Sequence, residues 1–247
     1  MEKLIELDTY PVSEVLDTLL KDRTTGKNII WATRSYESLG EIYTDKYVIE
    51  KKAILEKPEL IQPRVTKTLE AQQARTKAKA EVFTPSWICN KMNNFVDEEW
   101  FGKKDVFNIE GDKTWTANLE PIKFPEGKKW KDYVESTRLE ITCGEAPFIV
   151  SRYNAATGEL IPVPERIGLL DRKLRIINEN VNNKKSWMTQ VYRAFKNVYG
   201  YEFQGDNLLI ARINLFLTFC DYWREKWNEE APESTFKTIT EIITWNF

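Results

Sequence analysis

Apolar residues recur at helical spacing in some stretches of the chain and alternate at strand length in others. In "YPVSEVLDTLL", Val15, Leu16, Leu19 and Leu20 share one helical face, with Ser13 as the N-cap candidate. "TGKNIIWAT" reads as a short apolar strand or buried turn. After Pro63, "QPRVTKTLEAQQARTKAKA" reads as one long polar helix over 62–80, its apolar stripe reduced to Val65, Leu69 and alanines. "EVFTPSWICNKMNNFVDEEW" starts a helix at Thr84-Pro85, with Ile88, Met92, Phe95 and Val96 on its apolar face. A hairpin is expected around Glu110-Gly111-Asp112, a short helix in "WKDYVES" and a strand from Arg138 to Thr142. A loop marked by Pro162 and Pro164 leads to a helix in "RIGLLDRKLRIINENV", and "SWMTQVYRAFKNVYG" is a second helix stopped by Gly200. A short strand, "YEFQ", precedes the long apolar helix of "GDNLLIARINLFLTFCDYWREKW". "TITEIITWNF" reads as a helix end or a last strand.

This strand–helix beat predicts an α/β fold with a parallel sheet covered by helices. The first third lacks the beat and looks helical. The expected organisation is a helical N-terminal region over 1–80 and an α/β domain over 81–247. Residues 151–183 form an insertion whose Arg166, Arg172, Lys173 and Arg175 are expected to pack against the sheet edge rather than face DNA.

Charge changes the picture locally and not globally. The formal net charge of the 247 residues is -2, so no overall basic field points to nucleic acid. Residues 62–80 carry Arg64, Lys67, Arg75, Lys77 and Lys79 against a single Glu70, which gives either a solvated face or a phosphate-contacting helix. There is no histidine, and Cys89, Cys143 and Cys220 are widely spaced. That excludes Ser-His-Asp and Cys-His catalysis and leaves no set suited to zinc, so no metal is expected. The charged start "MEKLIELDTY" and the lack of any membrane-length apolar run point to the cytoplasm and no membrane. Neither a GxxxxGK[ST] loop nor a GxGxxG fingerprint is present.

In an open α/β sheet, ligands bind at the carboxyl ends of the strands. Gly144 follows the first strand of the beat, where the lack of a side chain lets backbone approach a ligand. Glu202 ends the second strand, placed to accept the paired hydroxyls of a ribose. On spacing alone, a structural turn explains these residues as well as a cofactor does.

Three segments in one order carry a resemblance. "EVFTPSWICNKM" (81–92), "LEITCGEAPFI" (139–149) and "GYEFQGDNLLIARINL" (200–215) resemble the amino-directed, adenine-specific DNA methyltransferases of restriction–modification systems. The second segment is similar to the family's "DPACGSGAFL" turn: Glu140 stands for the acid, Cys143-Gly144 match, and Glu145-Ala146 replace Ser-Gly. The third places Glu202 at the ribose-binding acid. The resemblance covers roughly 60–247. It implies a partial Rossmann-like sheet that binds S-adenosylmethionine. Phe83, Thr84 and Pro85 would line the pocket with Thr142, Cys143, Gly144 and Glu202, and the replacement at Glu145-Ala146 would narrow the turn. It also implies DNA and restriction–modification subunits as partners of the complete enzyme.

The family's catalytic Asn-Pro-Pro-Tyr element, or a close variant, occurs nowhere in the 247 residues, so no catalytic residue is assigned. The expectation is a cofactor-binding portion that does not methylate DNA alone. It is either the front part of a longer enzyme or a short relative. The alternative is a non-catalytic DNA- or partner-binding protein.

Overall fold

The computed structural model describes residues 4–67 and 84–247. The elements in order are α1 (Val12–Leu19), α2 (Lys51–Glu56), α3 (Ser86–Phe101), β1 (Asn108–Glu110), β2 (Trp115–Ala117), α4 (Trp130–Val134), β3 (Arg138–Ile141), α5 (Leu169–Asn180), α6 (Lys184–Lys196), β4 (Val198–Tyr201), α7 (Gly205–Trp227) and α8 (Glu233–Asn246). The fold is mixed α/β. Among the described residues its sheets are two strand pairs: β1 with β2 antiparallel, and β3 with β4 parallel in the register Arg138↔Val198 to Ile141↔Tyr201.

Helix α7 is the axis of the core. Its first half is buried on nearly every side, and Leu209, Ile210, Ile213, Leu215 and Phe216 are all fully buried, as expected of a helix enclosed by others. It ends where Asn228 takes the left-handed conformation and donates its N–H to Arg224 O at 2.8 Å. The first third of the chain packs directly on this axis. Helix α1 lies against α7 and α8. The Gly205 N–H donates to Trp31 O at 3.1 Å, and a Cβ on Gly205 would collide with the carbonyl of Ile30. The buried Arg212 guanidinium donates to Leu19 O (2.6 Å), Lys21 O (3.0 Å) and Phe247 O. One apolar cluster therefore runs across the expected boundary at residue 80.

Several local expectations change. The N-cap of α1 is Pro11, not Ser13, which lies inside the first turn. Gly200 does not stop a helix: α6 ends at Lys196, and Gly200 sits in β4 under the ring of Phe247, where a Cβ would not fit. Its role is close packing. Residues 238–247 are not a last strand but the end of α8 and its cap, because Ile239, Ile242 and Ile243 fall on one buried helical face. The long helix expected over 62–80 does not begin at Pro63. Arg64–Thr66 form a 3-10 turn and Lys67 is extended, while residues 68–80 lie outside the described residues.

Helix α3 reverses its expected polarity. Met92, Phe95 and Val96 face outward, whereas Asn90, Asn93 and Asp97 face inward. The inward set is consumed by hydrogen bonds. Arg172 ion-pairs with Asp97 and donates to Asn90 Oδ1 (2.9 Å) and Asn94 Oδ1 (2.7 Å). Asn93 donates to Phe148 O and Ile167 O, each at 3.0 Å. The basic residues of α5 are therefore packed. Arg172 and Lys173 are both fully buried, and Lys173 donates to Ser136 O and Asn197 O.

Candidate functional site

The carboxyl ends of β3 and β4 meet in one turn. β3 stops at Ile141, and the next residues alternate into the left-handed region: Thr142 (φ 54°), Gly144 (φ 54°) and Ala146 (φ 63°). Glycine adopts this freely; a β-branched threonine does not, so Thr142 is a strained position held by its surroundings. The surroundings are main-chain bonds. Cys143 N–H donates to Tyr201 O at 2.9 Å, and Ala146 N–H to Cys143 O at 2.7 Å.

Glu202, the first residue after β4, ties the turn to the second strand. Its Oε2 accepts the Gly144 N–H at 2.8 Å and its Oε1 accepts the Gln204 N–H at 2.9 Å. The two residues singled out from the sequence thus share a hydrogen bond. A carboxylate offers about four lone-pair positions, so each oxygen retains acceptor capacity after these bonds.

The Glu145-Ala146 replacement was expected to narrow the turn; the Glu145 side chain itself points away from it. Its Oε1 accepts the Arg64 main-chain N–H (2.6 Å), and its Oε2 accepts the Tyr153 hydroxyl (2.6 Å). Asn214 of α7 donates to both Glu145 O (3.2 Å) and Tyr153 Oη (3.0 Å). Tyr153 and Asn214 therefore support the turn from below, and sequence reading missed both roles. The only signal was Asn214 within the "ARINL" helix.

Cys143 is buried, and burial together with Glu140 and Glu202 pushes its thiol well above the ordinary range. It is a packing residue and not a nucleophile. Glu140 lies in the middle of β3. Burial raises its carboxyl well above the usual range, against the opposing effect of the Phe148 and Ile149 N–H groups.

The other expected site residues belong to other parts of the chain. Thr84 and Pro85 immediately precede α3, with Pro85 as its N-cap, and the Ser86 hydroxyl accepts the Ala155 N–H at 3.0 Å. Phe83 lies outside the described residues. Of the basic set, Arg64 is tied to Glu145 through its main chain. The Lys67 side chain is only 11% exposed, with its ammonium 3.8 Å from the buried carboxylate of Asp206. Asp206 also accepts the Tyr36 hydroxyl at 2.7 Å. Lys67 thus faces an internal carboxylate rather than an outer surface. Arg75, Lys77 and Lys79 lie outside the described residues. No helix among the described residues is long and apolar enough to cross a membrane, and no cluster of three potential metal-ligating side chains occurs among them.

Compared with protein families, with curated proteins and with solved structures, the chain matches none.

Proposed function

We propose that this chain is the S-adenosylmethionine-binding portion of an adenine-specific DNA methyltransferase of the restriction–modification type, and that it does not transfer methyl groups alone. The observation that carries the reading is the bond between Gly144 N–H and the Glu202 carboxylate, at the shared carboxyl end of two parallel strands. That end of a partial Rossmann-like sheet is where a nucleoside cofactor binds.

The residues fit the group chemically. Glu202 keeps acceptor capacity for two ribose hydroxyls, and Gly144 presents backbone without a side chain. Thr84 and Pro85, with Phe83 before them, would cover the amino-acid end, and Thr142 and Cys143 would hold the turn in shape. When bound, the sulfonium supplies an electrophilic methyl group. This chain's own part is to bind and orient it. The Asn-Pro-Pro-Tyr element that would hold a target adenine is absent from the sequence, so no transfer step is assigned.

Calorimetry with S-adenosylmethionine tests the reading. Micromolar binding is expected, weakened about tenfold or more by Glu202→Ala through loss of charge-assisted hydrogen bonds. Absence of binding by the folded wild-type chain would sink it. The missing catalytic element favours a second reading, a non-catalytic DNA- or partner-binding protein, which predicts no heat with the cofactor and a retained gel shift with duplex DNA.

A further inference from the structure

The turn after β3 is held at two adjacent residues. At Gly144, the main-chain N–H donates to Glu202 Oε2 at 2.8 Å. At Glu145, which is only 6% exposed, three groups converge. The Tyr153 hydroxyl and the Arg64 main-chain N–H each donate to its carboxylate at 2.6 Å, one to either oxygen. Asn214 Nδ2 is shared between Glu145 O (3.2 Å) and Tyr153 Oη (3.0 Å). Tyr153 and Asn214 are themselves buried, so these bonds are shielded from water.

The turn needs such a hold. Thr142, Gly144 and Ala146 all take left-handed backbone, and two of the three carry a Cβ, so the segment sits above its relaxed conformation. The bond from Ala146 N–H to Cys143 O, at 2.7 Å, closes the turn on itself. Glu145 lies between Gly144 and Ala146, and it cannot rotate while its carboxylate and its carbonyl are both bound. The direction of the Gly144 N–H, and with it the seat of the Glu202 carboxylate, is thereby fixed from behind. A short bond from a hydroxyl to a carboxylate is of the stronger kind, and taking its donor away from a buried carboxylate is costly.

We infer that Tyr153 is a positioning residue of the proposed cofactor site. Through Glu145 it holds the Gly144 N–H against Glu202, and so sets the carboxylate that receives the ribose hydroxyls. Asn214 completes the anchor by holding both the Tyr153 hydroxyl and the Glu145 carbonyl. Because the Arg64 N–H shares the same carboxylate, the anchor also ties the turn to the N-terminal region. The inference rests on the reading of this site as the seat of S-adenosylmethionine and extends it to two buried side chains behind the turn.

Calorimetry with S-adenosylmethionine on the full chain tests this, with circular dichroism to confirm that each variant is folded. Tyr153→Phe keeps the ring, removes only the hydroxyl, and is expected to weaken binding about fivefold. A double-mutant cycle with Glu202→Ala separates positioning from general loosening. If Tyr153 acts through Glu202, its substitution should cost less than about twofold once that carboxylate is gone, whereas a merely structural role costs the same in both backgrounds. If Tyr153→Phe fails to fold, Asn214→Ala, which removes both donations of that side chain, takes its place in the cycle with the same expectation. A folded variant that binds like the wild type overturns the inference and leaves the cofactor reading standing. So does a loss that recurs in full beside Glu202→Ala. No binding by the folded wild type overturns the cofactor reading and this inference with it.

Discussion

The two faces of the β3–β4 ribbon are built from adjacent residues and meet opposite fates. On one, Val198 and Gly200 are buried: α6 and α8 pack there, the Phe247 ring lies against Gly200, and Asn246 donates to Val198 O at 3.0 Å. On the other, Ile141 and Tyr201 are each 68% exposed. The alternation of side chains along a strand creates the difference, and the helices that follow in the chain cover only one side. Apolar content alone therefore does not say what is core. Tyr199 and Tyr201 are as apolar as many buried residues, yet they lie on the open side of the strand pair.

The largest effect that would sharpen this contrast comes from Lys173, which clips the starting ends of both strands by donating to Ser136 O and Asn197 O. Burial, with Arg138 nearby, lowers its pKa to about 7. The unfolded chain keeps an ordinary lysine near 10.4 and so binds more protons between those values. Stability should therefore rise as pH increases from about 7 toward 10, and the penalty should be fully present below about 7. Urea titrations across that range check this, and Lys173→Met should flatten the slope; an unchanged slope in the variant would assign it to another group.

A smaller loss is expected on the covered face. Gly200→Ala places a methyl group against the Phe247 ring and 3.0 Å from Cys143 Sγ, and overpacking of this kind costs about 1–3 kcal/mol. Thermal or urea unfolding measures it. The smallest effect belongs to the bare face. Tyr201→Thr keeps a strand-forming residue at an exposed position and should shift stability by no more than about 0.5 kcal/mol. If it costs as much as Gly200→Ala, something in the isolated chain covers that face and the contrast is broken.

Helix α3 shows why part of this was hidden in the sequence. The spacing of Met92, Phe95 and Val96 correctly indicated a helix, yet the natural inference that its apolar face is buried was reversed. Arg172, 75 residues beyond Asp97, draws the polar side inward through one ion pair and two amide hydrogen bonds. A local pattern cannot anticipate a partner so distant in sequence. The same holds for Lys67, whose ammonium lies 3.8 Å from the carboxylate of Asp206, a residue of a distant helix.

The sequence by itself determined the order and type of the main elements: the β1–β2 hairpin, the strand at 138, the long helix at 205, and the pairing of a glycine turn with an acid after the next strand. Those features depend on hydrophobic periodicity and turn chemistry, which act over a few residues. Tertiary structure alone decided that Glu145 supports the turn from inside, that Gly200 is a packing contact, that residues 238–246 coil against α7, and which sheet face stays bare. Each of these depends on contacts between residues tens of positions apart, and side-chain burial is settled only when those contacts form.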